Sequence, residues 1–355
     1  MTRIFAMLAM FVLAGHVAAA EPVALQPTEG DYIARDFAFV SGEKIAELRL
    51  HYTTLGTPQR DAGGRVTNAV MILHGTGGDG KQFFRPQFAD VLFAPGGLLD
   101  PAKYFIILPD GIGHGKSSKP GDGLHARFPH YDYDDMVAAQ HTLLTKGLAV
   151  DRLRLILGTS MGCMHAFVWG ETYPDFTDAM MPLACLPAEI AGRNRMWRKL
   201  TMDAITTDAD WKGGEYKTQP TRGLRTAASL LLVAGSVPIL WQQTYPTRDA
   251  ADKYAAETVA KNIASLDAND LLYQLAASRN YNPAPNLETI KARITWINSA
   301  DDFINPPELA IAEREAKRLK NGKFILLPAS DQTRGHGSHT WAVLWQERLA
   351  ELLRQ

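Results

Sequence analysis

The sequence predicts an α/β fold built on a doubly wound, mostly parallel sheet. Three observations predict it. Apolar strand-like runs recur along the chain and are continuous rather than alternating. Helix-patterned segments lie between them. One strand-like run leads through a serine flanked by glycines straight into a helix-like run. Continuous apolar runs suit strands buried on both faces of a parallel sheet. Strands alternating with helices are the pattern of a doubly wound sheet.

In chain order, Glu47 to Thr54 alternates polar and apolar residues and reads as a half-exposed strand. The continuous runs are Ala69 to Leu73, Tyr104 to Leu108, Leu153 to Leu157, Ala179 to Ala184, Ile294 to Asn298 and Phe324 to Leu327. Helical periodicity covers Lys81 to Leu92, Tyr133 to Lys146, Met164 to Thr172, Pro307 to Leu319 and His339 to Leu353. The alternation breaks between about Pro187 and Leu287, a stretch rich in Ala, Trp, Tyr and Arg that has helical periodicity and no obvious strand. Because it lies between two sheet strands, it reads as an inserted helical cap over the site. The expected organisation is therefore core 21–186, cap 187–287 and core 288–355, after a leader at 1–20. There is no internal repeat and no low-complexity segment.

That leader has a positive start at Arg3, an apolar run from Ile4 to Ala14, and the small residues Ala18, Ala19 and Ala20 before Glu21-Pro22. This is the pattern of a signal peptide, too short for a comfortable membrane span. It predicts a periplasmic or secreted protein whose mature chain starts near Glu21 and is not stably inserted in the membrane. The formal net charge of −1 offers no electrostatic handle for nucleic acid or an anionic membrane surface. The two cysteines, Cys163 and Cys185, both read as small buried hydrophobes. An oxidising compartment permits a bond between them, and the sequence leaves that open. No Cys/His spacing points to a metal site, and no cofactor is expected.

The chemistry centres on Gly158-Thr159-Ser160-Met161-Gly162. A strand, a tight glycine-flanked serine and then a helix are what a nucleophile elbow requires. The serine must occupy a sharp strained turn, and the glycines two before and two after it stand where the backbone comes too close for a Cβ. A serine hydroxyl needs a base to take its proton, and the base needs a carboxylate to orient it. In this fold pattern the acid and then the base follow the serine in the chain. Asp301 and Asp302 follow the run Ile294 to Asn298, at the C-terminal edge of a parallel strand. Asp302 is preferred for its distance to Pro306, with Asp301 as a solvated or hydrogen-bonding neighbour. The base candidates are His336 and His339, with His336 preferred because it lies in the loop after a glycine and His339 opens the last helical segment. The other histidines lack such a context and read as packing or surface residues.

A developing oxyanion needs preorganised N–H donors. One is the backbone of Met161, directly after the serine at a helix N-terminus. The second is assigned to Thr76, in the glycine-rich loop His74-Gly75-Thr76-Gly77-Gly78. That loop lacks the Lys-[Ser/Thr] of a phosphate-binding loop, and Asp79 would repel a phosphate. The segment Asp110 to Ser118 has glycines at 111, 113 and 115, which is not dinucleotide-binding spacing, and it reads as a structural loop beside the site.

Several longer motifs carry a resemblance. These are Asp135 to Gln140, Gly158 to Ala166, Trp169, Tyr173-Pro174, Asp208 to Tyr216, Pro220, Gly223-Leu224, Asp267-Ala268-Asn269 and Gly335-His336. Together they resemble the homoserine O-acetyltransferase branch of the α/β-hydrolases, over most of the chain from about Leu50 onward. The resemblance implies an α/β-hydrolase fold: a mostly parallel eight-stranded sheet, helices on both faces and an inserted helical cap. It implies Ser160, Asp302 and His336 as a triad working through an acyl-enzyme, and a cap-mediated homodimer as a family-level expectation.

Two departures bear on the substrate. The family holds homoserine with a cap arginine in Gly-Leu-x-x-Ala-Arg, where this chain has Ala228, and with an aspartate after the histidine, where this chain has Gly337. Losing a buried charged hydrogen bond costs about 2–5 kcal/mol. Arg222 and Arg225 are the nearest replacements by a shifted alignment. The family's acyl donor is acyl-CoA, which the periplasm should lack. The expectation is an exported serine hydrolase acting on a small-molecule ester, with an acyl-CoA-dependent O-acyltransferase as the alternative. Trp197, Trp211, Trp241 and Tyr245 either line an apolar pocket or pack the cap.

Overall fold

The computed structural model describes residues 25–354, so the expected signal peptide lies outside the described residues. The strands are β1 (Thr28–Ala38), β2 (Lys44–Leu55), β3 (Ala69–Leu73), β4 (Phe105–Pro109), β5 (Leu155–Thr159), β6 (Ala179–Leu183), β7 (Arg293–Ser299) and β8 (Gly322–Leu327). They form one eight-stranded sheet in the order β1-β2-β4-β3-β5-β6-β7-β8. β1 and β2 are antiparallel to each other, β2 is antiparallel to β4, and every later pairing is parallel.

The continuous apolar runs are explained by what lies on each face. Met71, Ile107, Ile156, Met180 and Trp296 point to a core shared with α2 (Tyr133–Thr142) and α3 (Met161–Thr172). Their alternating neighbours Val70, Ile72, Ile106, Leu157 and Met181 point to a second core shared with α1 (Pro86–Leu92) and α10 (Gln346–Arg354). Successive side chains of a strand face opposite ways, so a strand covered on both sides must be apolar throughout.

Between β6 and β7 lie α4 (Gly192–Thr206), α5 (Thr221–Ala234), α6 (Pro238–Thr244), α7 (Arg248–Ser265) and α8 (Ala268–Ala276), with no strand among them. Ile205, Leu224, Ala227, Leu271 and Leu275 form a separate small core for this helical layer. Three side chains of α8 tie the layer to the sheet half. Asp270 accepts from the Gly121 N–H at 2.7 Å, the Tyr273 hydroxyl donates to the Phe128 carbonyl at 2.8 Å, and Gln274 donates to the Gly113 carbonyl at 2.7 Å.

Several expected elements are shorter than their periodicity. Lys81 to Leu92 divides at Arg85, which is extended so that Pro86 starts α1, after a 3-10 turn over Gly80–Phe84. Pro307 to Leu319 reduces to α9 (Ile311–Ala316), because Ala310 takes a left-handed φ of 51°. The last helix begins at Gln346 rather than His339, after two short turns. Cys163 and Cys185 are bonded to each other, and both are fully buried. Among the described residues no single helix is long and apolar enough to cross a membrane; α5 and α6 reach that measure only as a pair bent by 103°.

Candidate active site

β5 ends at Thr159 and α3 begins at Met161, leaving Ser160 alone to turn the chain. Its backbone takes φ 54° and ψ −110°, a strained position for a residue with a Cβ. The Ser160 N–H donates to the Leu183 carbonyl at 2.8 Å and the Gly162 N–H to the His74 carbonyl at 3.0 Å, pinning the turn to β6 and β3. The glycine requirement is steric. A Cβ at Gly158 would lie 2.0 Å from the Gly162 carbonyl oxygen, and one at Gly162 would lie 2.2 Å from that of Leu73.

The structure brings Ser160, His336 and Asp302 into one hydrogen-bonded chain. His336 Nε2 is 2.8 Å from Ser160 Oγ, and His336 Nδ1 is 2.8 Å from Asp302 Oδ2. The Asp302 side chain is fully buried and that of His336 is 13% exposed, so the imidazole edge stays reachable from outside. Burial alone would raise the Asp302 pKa. The charge and hydrogen bond of His336 and the bonds from Asn305 and the Ile304 N–H outweigh it and hold the carboxyl below its ordinary value. Asn305 Nδ2 donates to Asp302 Oδ2 at 2.9 Å, a contact the sequence reading did not single out. Its position three residues after the acid is the signal that was present.

The competing residues have other surroundings. Asp301 accepts from Thr333 Oγ1 at 2.7 Å and from the Gly335 N–H at 3.0 Å, so it fastens the loop that carries His336. His339 stacks edge-on against His336 with ring centres 5.3 Å apart, and makes no hydrogen bond to Ser160 or Asp302 among the described residues. Burial, then the His336 charge, pushes its pKa down to about 3.

The Met161 N–H opens α3 and so has no carbonyl four residues back to bond. Gly75 brings the neighbouring loop against the serine, since a Cβ there would be 3.2 Å from Ser160 Cβ. That loop is held by His74, whose Nδ1 lies 2.9 Å from the Gly75 carbonyl while its Nε2 accepts the Gly111 N–H at 2.9 Å. Those partners place the ring proton on Nδ1. The loop from Asp110 is structural as expected. Asp110 accepts from the N–H groups of Gly80 and Lys116, each at 2.8 Å.

Ala228 is fully buried on α5, and Arg222 and Arg225 are both exposed, so neither arginine restores a charge at that position. Arg222 instead reaches toward Asp210, at 4.0 Å. The cap aromatics mostly pack. Trp211 donates to Asn269 at 2.9 Å, and Trp241 and Tyr245 stack against Tyr254. The two larger clefts, about 1110 and 510 Å³, run along the Glu189–Gly192 segment and are lined by none of Ser160, Asp302 and His336.

A strand–serine–helix turn feeding a Ser–His–Asp chain on an eight-stranded sheet defines the α/β-hydrolase class. A family model described as the alpha/beta hydrolase fold matches residues 68–331, and the chain belongs to that family. Within it, the chain is on the homoserine O-acetyltransferase-like branch. It is 30% identical over 276 residues to a probable acyltransferase of Methanothermobacter thermautotrophicus, covering 77% of this chain and 82% of that one. It is 27% identical over 331 residues to a homoserine O-acetyltransferase of Chlorobaculum parvum, covering 84% and 87%. Among solved structures it resembles the acetyl esterase MekB, with a TM-score of 0.80, 24% identity and coverage of 92% and 97%. The chain is thus an enzyme of the α/β-hydrolase superfamily.

Proposed function

We propose that the chain is an exported serine hydrolase that cleaves a small-molecule ester through an acyl-enzyme on Ser160. The single observation that carries this reading is the unbroken Ser160–His336–Asp302 chain at two contacts of 2.8 Å. His336 Nε2 takes the Ser160 proton as the oxygen attacks the ester carbonyl. The N–H groups of Met161 and Thr76 receive the oxyanion. His336 then protonates the leaving alcohol, and the acyl group stays on Ser160. In the second half His336 deprotonates a water, which attacks the acyl-enzyme and frees the acid. Asp302 keeps the imidazole oriented and supports its charge in both halves.

Water as the acceptor is supported by the two missing charges, Ala228 and Gly337, that an amino-acid acceptor would use. Export is supported by the N-terminal pattern of residues 1–20 and by the Cys163–Cys185 bond, which persists in an oxidising compartment. A second reading is an acyl-CoA-dependent O-acyltransferase, in which an alcohol replaces water. The names of the curated relatives favour it. Both readings share the acylation of Ser160 and differ in what relieves it.

A p-nitrophenyl ester chain-length series, run with and without homoserine or another alcohol, separates them, with acetyl-CoA tested as the donor in parallel. The expected result is ester turnover independent of added alcohol and lost in Ser160→Ala. Transfer from acetyl-CoA to homoserine far faster than hydrolysis would replace the first reading with the second.

A further inference from the structure

The mechanism above leaves one buried cation without a use. Arg198, on α4, is 3% exposed, deeper than any surface arginine of the cap. Its Nε donates to Asn194 Oδ1 at 3.0 Å and its Nη1 to Ser278 Oγ at 3.3 Å, the Tyr133 hydroxyl lies against it, and its central carbon sits 4.7 Å from the centre of the Trp197 ring, so every partner it has is neutral. Burial lowers its pKa, the Tyr133 hydroxyl and the Arg195 charge act on it next, and no carboxylate is among the groups that do. A guanidinium does not lose its proton in a protein, so this is a charge buried without a counter-charge.

Its surroundings are unfinished as well. The Tyr133 hydroxyl lies against Arg198, Ser278 and Thr76, yet it completes no hydrogen bond of good geometry and is itself 2% exposed. The Thr76 hydroxyl is also buried and unpartnered, and so is one terminal nitrogen of Arg195. Buried polar groups are nearly always satisfied, so a set of unpaired donors around one cation marks the place of a missing acceptor. Thr76 follows Gly75, whose backbone abuts Ser160, so the set begins in the loop that lies against the nucleophile. A planar cation beside hydroxyl donors matches a carboxylate, which accepts on both oxygens.

We propose that Arg198, with the unpartnered hydroxyls of Tyr133 and Thr76, forms a carboxylate-binding subsite beside Ser160, which makes the substrates esters that carry a free carboxylate. This names the substrate class for the acyl-enzyme reading and rests on it. The carboxylate belongs either to the acyl part or to the alcohol part of the ester, and the test has an arm for each.

The first arm compares p-nitrophenyl hemiglutarate with p-nitrophenyl valerate. The second compares O-acetyl-lactate with its methyl ester. In at least one arm the carboxylate-bearing ester has the higher kcat/KM, and Arg198→Gln lowers the charged-to-neutral ratio by about thirtyfold or more. Arg198→Lys, which keeps the charge without the fork, falls between. The ratio within each variant, together with its melting midpoint, separates recognition from lost packing. In the unaltered protein, glutarate inhibits neutral-ester hydrolysis competitively and glutaramide does not at the same concentration. Ratios unmoved by Arg198→Gln in both arms, or equal inhibition by glutarate and glutaramide, would overturn the subsite while leaving the acyl-enzyme intact. Undiminished hydrolysis of all four esters by Ser160→Ala would overturn the acyl-enzyme and the subsite with it.

Discussion

His336 and His339 are three residues apart, share one loop and touch ring to ring, yet their surroundings give them different chemistry. His336 has a carboxylate on one nitrogen and a hydroxyl on the other. His339 is half-buried, with its Nδ1 buried and unpartnered and its pKa pushed down to about 3, so it stays neutral at working pH. The consequence is measurable. His336→Gln should lower kcat by about a thousandfold or more, the scale on which triad members act, whereas His339→Gln should leave kcat within about tenfold. Steady-state kinetics on one ester checks both, and the reverse order would reassign the base. The choice between these histidines was legible in the sequence only as loop against helix start. The helix start proved to be a short 3-10 turn over Gly337–Thr340, so geometry decides what periodicity addressed indirectly. Arg198 was not legible at all. In Arg193-Asn194-Arg195-Met196-Trp197-Arg198-Lys199 it reads as one more charge on a solvated helix, and only the packing of α4 turns it inward.

Elements whose backbone constraints are written into residue type were the most legible. The elbow is one, because glycines at 158 and 162 answer approaches of 2.0 and 2.2 Å that no other residue allows. The doubly covered strands are another. β1 was missed. It is an edge strand whose charged, mostly exposed residues bury little, and Asp36, with φ 51°, interrupts its alternation. At the junction of α8 with the sheet half, burial pushes the Asp270 carboxyl up to about 7, against the pull of the Gly121 N–H. In the unfolded chain the same group ionises near its ordinary 3.8. Between those values the folded state holds a proton that the unfolded state has released, so this group makes stability fall as pH rises from about 4 to 7. Asp270→Asn removes that loss while keeping an acceptor for Gly121. Thermal melts should place the variant above the parent at pH 8 and level with it at pH 4. A variant that melts lower at pH 8 would contradict the assignment.

Across the whole molecule, one sheet presents Ser160, Asp302 and His336 at the C-terminal ends of β5, β7 and β8 or in the loops beyond them, and a helical layer between β6 and β7 supplies Arg198. The order of these residues along the chain was readable because strands and helices alternate there. The cap was readable only as a break in that alternation. Export belongs to this scale too. If residues 1–20 are a leader, N-terminal sequencing of the protein recovered from its natural compartment should begin near Glu21, outside the cytoplasm and with Cys163 and Cys185 oxidised. An intact Met1 on cytoplasmic protein with free thiols would remove the export argument for water as the acceptor and leave only the missing charges at Ala228 and Gly337. The central claim, though, is the acyl-enzyme itself. Its most direct test is intact-mass analysis after reaction with a fluorophosphonate, followed by peptide mapping. The account predicts one adduct per chain, on Ser160, abolished in Ser160→Ala and strongly slowed in His336→Gln. Equal labelling of Ser160→Ala, or an adduct on another residue, would contradict it.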